Sequence, residues 1–119
     1  MGMTSVHAKV ANPADHSKFI EEEFLVDSGA IYTVLPEELL SKIGIKPNRQ
    51  MTFELADRTK IVREVGDAHY ILDESQGSAP VVFGKRGDSL LLGAFTLEAL
   101  GLILDPIRRK LRPMKVLNL

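Results

Sequence analysis

The chain has 119 residues, room for one domain spanning 1–119 and little more. Hydrophobic residues make up 45% and charged residues 26%, ordinary for a packed soluble domain, and 15 basic residues against 16 acidic leave a net charge of −1. That balance provides no global field to draw nucleic acid or an anionic membrane, so neither is expected as a partner. The absence of cysteine excludes disulfides, thiol chemistry and cysteine-ligated zinc, and a cytoplasmic setting is expected. The opening MGMTSVHAKV lacks the apolar core of a signal peptide, and Val6 breaks the myristoylation pattern. The most apolar stretch, residues 90–104, is interrupted by Glu98 and falls short of the roughly 20 residues that span a bilayer.

Short strands dominate the chain order. Residues 5–11 (SVHAKVA) alternate with Val6, Ala8 and Val10 on one face, and Asn12-Pro13-Ala14-Asp15 reads as a turn. Residues 19–26 (FIEEEFLV) form a second strand whose acidic first half is solvated. After DSGA, the run Thr33-Val34-Leu35-Pro36 leads into a short helix over 36–44. There Pro36 suits the first helical position, Glu37 and Glu38 the positive dipole end, and Gly44 the C-terminal cap. Residues 50–56 and 60–65 flank Asp57-Arg58-Thr59 as a hairpin with a polar tip, and two further strands are expected at 68–72 and 79–83. A buried strand over 89–92 stops at Gly93, and a helix over 94–100 stops at Gly101. Residues 102–104, a break at Asp105-Pro106 and a tail alternating Ile107, Leu111, Met114 and Val116 with basic residues close the chain. Many short strands and two small helices indicate a compact β-barrel or sandwich.

Most of the chemistry-bearing residues read as ordinary structure. His7, His16 and His69 lack metal-ligand spacing, so no metal is expected. Ser28 lacks the leading glycine of a G-x-S-x-G elbow, and Gly84–Ser89 has no phosphate-loop spacing. Arg86-Gly87-Asp88 is a charged turn. The basic tail of Arg108, Arg109, Lys110, Arg112 and Lys115 carries no interleaved aromatics for stacking bases. The remaining candidate is Asp27. Asp-Ser-Gly alone is a common turn, but here the acid follows Phe24-Leu25-Val26, so it emerges from a core, and Leu90-Leu91-Leu92-Gly93 supplies a second apolar-glycine-helix element.

With these pieces in order, the sequence resembles the retroviral-type, or retropepsin-like, aspartic proteases, in particular their small cellular and prokaryotic members. The matching segments are Leu25-Val26-Asp27-Ser28-Gly29-Ala30, Thr33-Val34-Leu35-Pro36, and Leu90-Leu91-Leu92-Gly93 with Leu97-Glu98-Ala99-Leu100-Gly101-Leu102; Leu104-Asp105-Pro106 also fits. The resemblance implies a mainly β fold, a small closed or partly closed β-barrel with a short C-terminal helix. It also implies an aspartic endopeptidase acting on peptide or protein substrates without a cofactor. One Asp-Ser-Gly per chain then implies a homodimer with Asp27 as the catalytic residue of each subunit. Ser28 would brace the loops across the axis, while Gly29 and Ala30 allow close approach. Ile31, Tyr32 and Leu92 would line the cleft beneath a flap tipped by Ala56, Asp57, Arg58 and Thr59. Viral members carry glycine-rich flaps, whereas no glycine lies between Gly44 and Gly66 here, and Ile31 and Tyr32 replace acidic residues, so viral specificity does not transfer. A non-catalytic dimerisation or peptide-binding module with the same fold is the competing reading.

Overall fold

The computed structural model describes residues 4–27, 29–105 and 107–114. β1 (Thr4–Asn12) and β2 (Asp15–Val26) form a long antiparallel hairpin, and β3 (Thr33–Pro36) leads into α1 (Glu37–Lys42). β4 (Arg49–Glu54) pairs with the first half of β5 (Lys60–Leu72), and β6 (Ser75–Gly84) pairs with the second half. β7 (Leu91–Leu92), α2 (Ala94–Ala99), β8 (Leu102–Asp105) and β9 (Lys110–Pro113) complete the order.

The main sheet runs β1-β2-β7-β3-β6-β5-β4, and an added β1–β5 pairing at Lys9↔Ile71 through Ala11↔His69 curls it into a ring. β4 is left outside the ring, held by β5 along one edge. β8 and β9 form a separate two-stranded sheet. The ring encloses the core: Val10, Phe24, Leu35, Leu40, Tyr70, Val81 and Leu92 have essentially no exposed surface. Alternation puts Ala8 and Val10 of β1 inside, and β2 keeps its Glu21 and Glu23 in water. Among the described residues, no helix is long and apolar enough to cross a membrane.

Four local expectations need correction. Residues 60–65 and 68–72 are one continuous strand, because Gly66 and Asp67 stay in register with Val81 and Pro80. Gly66 marks a close approach instead of a break: a Cβ there would stand 2.9 Å from the Lys46 carbonyl oxygen. Pro36 caps α1 from the end of β3 with extended backbone, so the helix proper starts at Glu37. The strand expected over 89–92 shrinks to Leu91–Leu92, since only those residues find ladder partners. The tail strand is confined to Lys110–Pro113, and Ile107 is left 90% exposed. Pro106, Lys115 and Val116 lie outside the described residues.

Candidate active site

Sheet order explains why Asp27 sits at a junction. β7 lies between β2 and β3, parallel to β2 (Leu25↔Leu91, Val26↔Leu92) and antiparallel to β3 (Val34↔Leu91). The loop joining β2 to β3 must therefore pass over the end of β7, where α2 begins. Asp27 is its first residue, half-buried just beyond the core residue Val26. Its Oδ1 accepts a hydrogen bond from the Gly29 N–H at 2.9 Å, and its carbonyl oxygen accepts one from the Ala30 N–H at 3.0 Å. The carboxylate is thus held against its own loop.

The other side of the junction is built by the start of α2. Gly93 caps that helix without a side-chain acceptor, so its first N–H groups need partners. The crossing loop supplies them. Gly93 N–H donates to Thr33 Oγ1 (3.0 Å), Ala94 N–H to the Ala30 carbonyl (2.9 Å) and Phe95 N–H to the Ile31 carbonyl (2.9 Å). Behind them, the buried Thr33 and Thr96 hydroxyls share a 2.6 Å hydrogen bond. Tyr70 is fully buried next to this pair and donates to the Pro80 carbonyl at 3.0 Å. Burial pushes its phenol well above the usual range, with the Thr96 and Thr33 hydroxyls partly offsetting that. Sequence reasoning missed Thr33 and Thr96. Two buried threonines facing each other from β3 and α2 leave no signal in a linear pattern.

Thr33→Val is expected to cost about 2 kcal/mol, because it strands the Gly93 N–H and the Thr96 hydroxyl in the core. Thr96→Val should cost less, since Thr33 still accepts from Gly93. Urea denaturation of the two variants checks the order.

In front of the loop lies a groove of about 660 Å³. Gly29, Ala30, Ile31 and Tyr32 form one wall, Val34, Val82 and Leu91 the floor, and Phe53, Leu55 and Ile61 of the β4–β5 hairpin the other wall. Tyr32 meets the Phe53 ring edge-on at 5.7 Å and the Phe95 ring at 6.0 Å, joining loop, hairpin and α2 in one aromatic contact. Ile31 stands 63% exposed beside it.

Several expected cleft residues fall elsewhere. Leu92 is wholly buried; strand alternation turns it into the core, and its neighbour Leu91 faces the groove. Ala56, Asp57, Arg58 and Thr59 do form the hairpin tip, but the groove is lined only as far as Leu55. Without glycine, the tip is closed by Arg58 in left-handed conformation (φ 74°) and by Asp57, whose Oδ1 accepts from the Thr59 N–H. A Cβ on Gly29 would meet Asp27 Oδ1 at 3.4 Å, an ordinary contact, so packing within one chain does not demand glycine there. Ser28 lies outside the described residues.

The groove ends at an ion pair. Arg63 of β5 donates from Nε to Asp88 Oδ2 at 2.9 Å and from Nη2 to Asp88 Oδ1 at 3.2 Å, with only 17% and 24% of the two side chains exposed. The Arg63 hydrogen bond holds the Asp88 carboxyl below its ordinary 3.8. A depressed folded pKa means that this contribution to stability is fully present well above pH 3.8 and is lost as pH falls through the folded value. Asp88→Asn should accordingly lower the thermal midpoint at pH 6, and the gap to wild type should narrow by pH 3; melting both at both pH values tests this. Among the described residues, no three His, Asp or Glu side chains gather to hold a metal ion.

The curled sheet, the hairpin beyond it and the short helix packed behind the acid-bearing loop define a retropepsin-like β fold. In particular, the structure is similar to the solution structure of Simian Foamy Virus (mac) protease, with a TM-score of 0.55 and 18% identity, covering 79% of this chain and 91% of that one. At this identity the likeness establishes the fold. No protein-family model and no curated protein matches the sequence.

Proposed function

We propose that the chain is one half of a homodimeric aspartic endopeptidase. The observation that carries this reading is the position of Asp27. It heads the loop that forms one wall of the groove, in a fold shared with a retroviral protease, with its carboxylate fixed by the Gly29 N–H. A single carboxylate cannot serve as base and acid together, so two copies meet about a two-fold axis, each contributing Asp27.

Two carboxylates in contact share one proton, because ionising both is costly, and they titrate as a pair; aspartic proteases are the standing example. The ionised Asp27 takes a proton from a bridging water. The water oxygen bonds to the peptide carbonyl carbon, and the protonated Asp27 of the partner subunit donates to the carbonyl oxygen. The resulting diol collapses as its C–N bond breaks. The leaving nitrogen takes up the proton first removed from water, and a diol hydroxyl returns its proton to the other carboxylate. An extended, largely apolar peptide lies along the groove, with Ile31, Tyr32, Phe53 and Leu91 as its apolar contacts. The β4–β5 hairpin acts as the flap, with Ala56–Thr59 as its tip.

Wild type and Asp27→Asn, incubated with a diverse peptide mixture from acidic to neutral pH, test the reading by mass-spectrometric mapping of cut sites. Light scattering on the same samples tests for the dimer. The competing module, which binds peptides without turnover, draws support from the charged, glycine-free tip. It predicts that neither protein cuts.

A further inference from the structure

We propose that the groove is a side-chain subsite for tyrosine, with the phenol hydroxyl held by the Arg63–Asp88 pair. This rests on the reading of the groove as a peptide cleft and specifies one residue that the cleft selects. On the hairpin, Phe53↔Ile61 and Met51↔Arg63 are directly opposed, so these four side chains share one face. Phe53, Ile61 and Arg63 all line the groove. Arg63 is therefore one step of about 7 Å along β5 from Ile61. An aromatic ring lying against Phe53 and Ile61 puts its para position toward the guanidinium.

The pair has capacity to spare. Among the described residues, Arg63 uses Nε and one N–H of Nη2 on Asp88, and one N–H of Nη1 on the Val62 carbonyl at 3.0 Å, which leaves one N–H on each terminal nitrogen. Among the described residues, Asp88 Oδ2 accepts from Arg63 Nε and from the Lys85 N–H at 2.7 Å, whereas Oδ1 accepts from Arg63 alone. A free donor beside a free acceptor suits a hydroxyl, which is both. Because the pair is already neutral, an acidic or basic side chain brings an uncompensated charge into a half-buried site. Phenylalanine fills the apolar part and leaves the spare polar groups covered but unbonded.

The test measures binding and needs no turnover. Peptides identical but for Tyr or Phe at each position in turn are titrated against the full chain by fluorescence anisotropy. One position is expected to favour Tyr by roughly 10-fold, the worth of one net hydrogen bond. The double variant Arg63→Met/Asp88→Asn is expected to lose the Tyr preference, binding the Tyr and Phe peptides alike. If that variant does not fold, the Arg63 Nε–H resonance of wild type gives the same answer, shifting with the Tyr peptide and not with the Phe peptide. Equal binding of Tyr and Phe at every position, a Tyr preference that survives in the folded double variant, an unmoved Arg63 resonance, or no peptide binding would each overturn the proposal. Peptide binding with the Tyr preference but without cleavage sustains it while removing the protease reading.

Discussion

Asp27→Asn is expected to reduce peptide hydrolysis by about 10⁴-fold, the upper range for loss of a general acid–base group. The substitution is isosteric, and an amide oxygen still accepts the Gly29 N–H, so the loop keeps its shape. What disappears is the proton chemistry. Asparagine neither takes a proton from water nor gives one to a carbonyl at these pH values, and in a homodimer one substitution removes both carboxylates. Folding stability should hold or rise, because two acids no longer compete for one site. The wild-type rate should show a bell-shaped pH dependence, since one carboxylate must be ionised while the other is protonated. The check is kcat/KM on a peptide that wild type cuts, together with thermal melts of both proteins. Retention of the same cut sites by the purified variant would sink the mechanism.

Gly93→Ala is expected to be the most damaging small substitution in the fold, costing about 3 kcal/mol or more and removing activity. Gly93 has an extended backbone (φ −91°), so conformational freedom is not its reason. Space is. An added Cβ would stand 2.5 Å from the Tyr32 carbonyl carbon and 2.6 Å from that of Ile31, and closer still to the Ile31 oxygen. These are backbone atoms, and the hydrogen bonds from Ala94 to Ala30 and from Phe95 to Ile31 hold them in place. No side chain can turn away, so either the Asp27 loop or the start of α2 must move. Gly29→Ala is the control: its Cβ makes only an ordinary contact within the chain, so its melting temperature should stay near wild type. Urea denaturation and peptide cleavage on both variants test the contrast. Equal stability of Gly93→Ala and wild type would show that the two motifs are less tightly docked than the hydrogen bonds imply.

Much of the fold was legible because it depends on short-range pattern. Alternation along residues 5–11 marks β1, glycines 44 and 101 end the helices in left-handed conformation, and Asp57-Arg58-Thr59 marks a hairpin tip. The errors come where a distant partner decides the outcome. Gly66 and Asp67 look like a break, yet pairing with β6 carries the strand through them. Residues 89 and 90 look like strand but have no ladder neighbours, while Leu91 and Leu92 have them on both sides or in the core. At the site, the resemblance places Leu92 in the cleft, whereas the strand turns it into the core. Which of two adjacent leucines faces the groove depends on strand register, which the motif does not encode.

By itself the sequence determined the mainly β class, the acid at the end of an apolar strand and its pairing with a later apolar-glycine element. Each of these is written in neighbouring residues through burial and turn chemistry. Only the tertiary structure decided that β7 is threaded between β2 and β3, so that the first N–H groups of α2 close on the Asp27 loop. It alone brought Arg63 to Asp88, Thr33 to Thr96 and Tyr32 to Phe53, residues far apart in the chain. Contacts of that kind depend on which strands become neighbours, and that choice is made by the ring closing around its core.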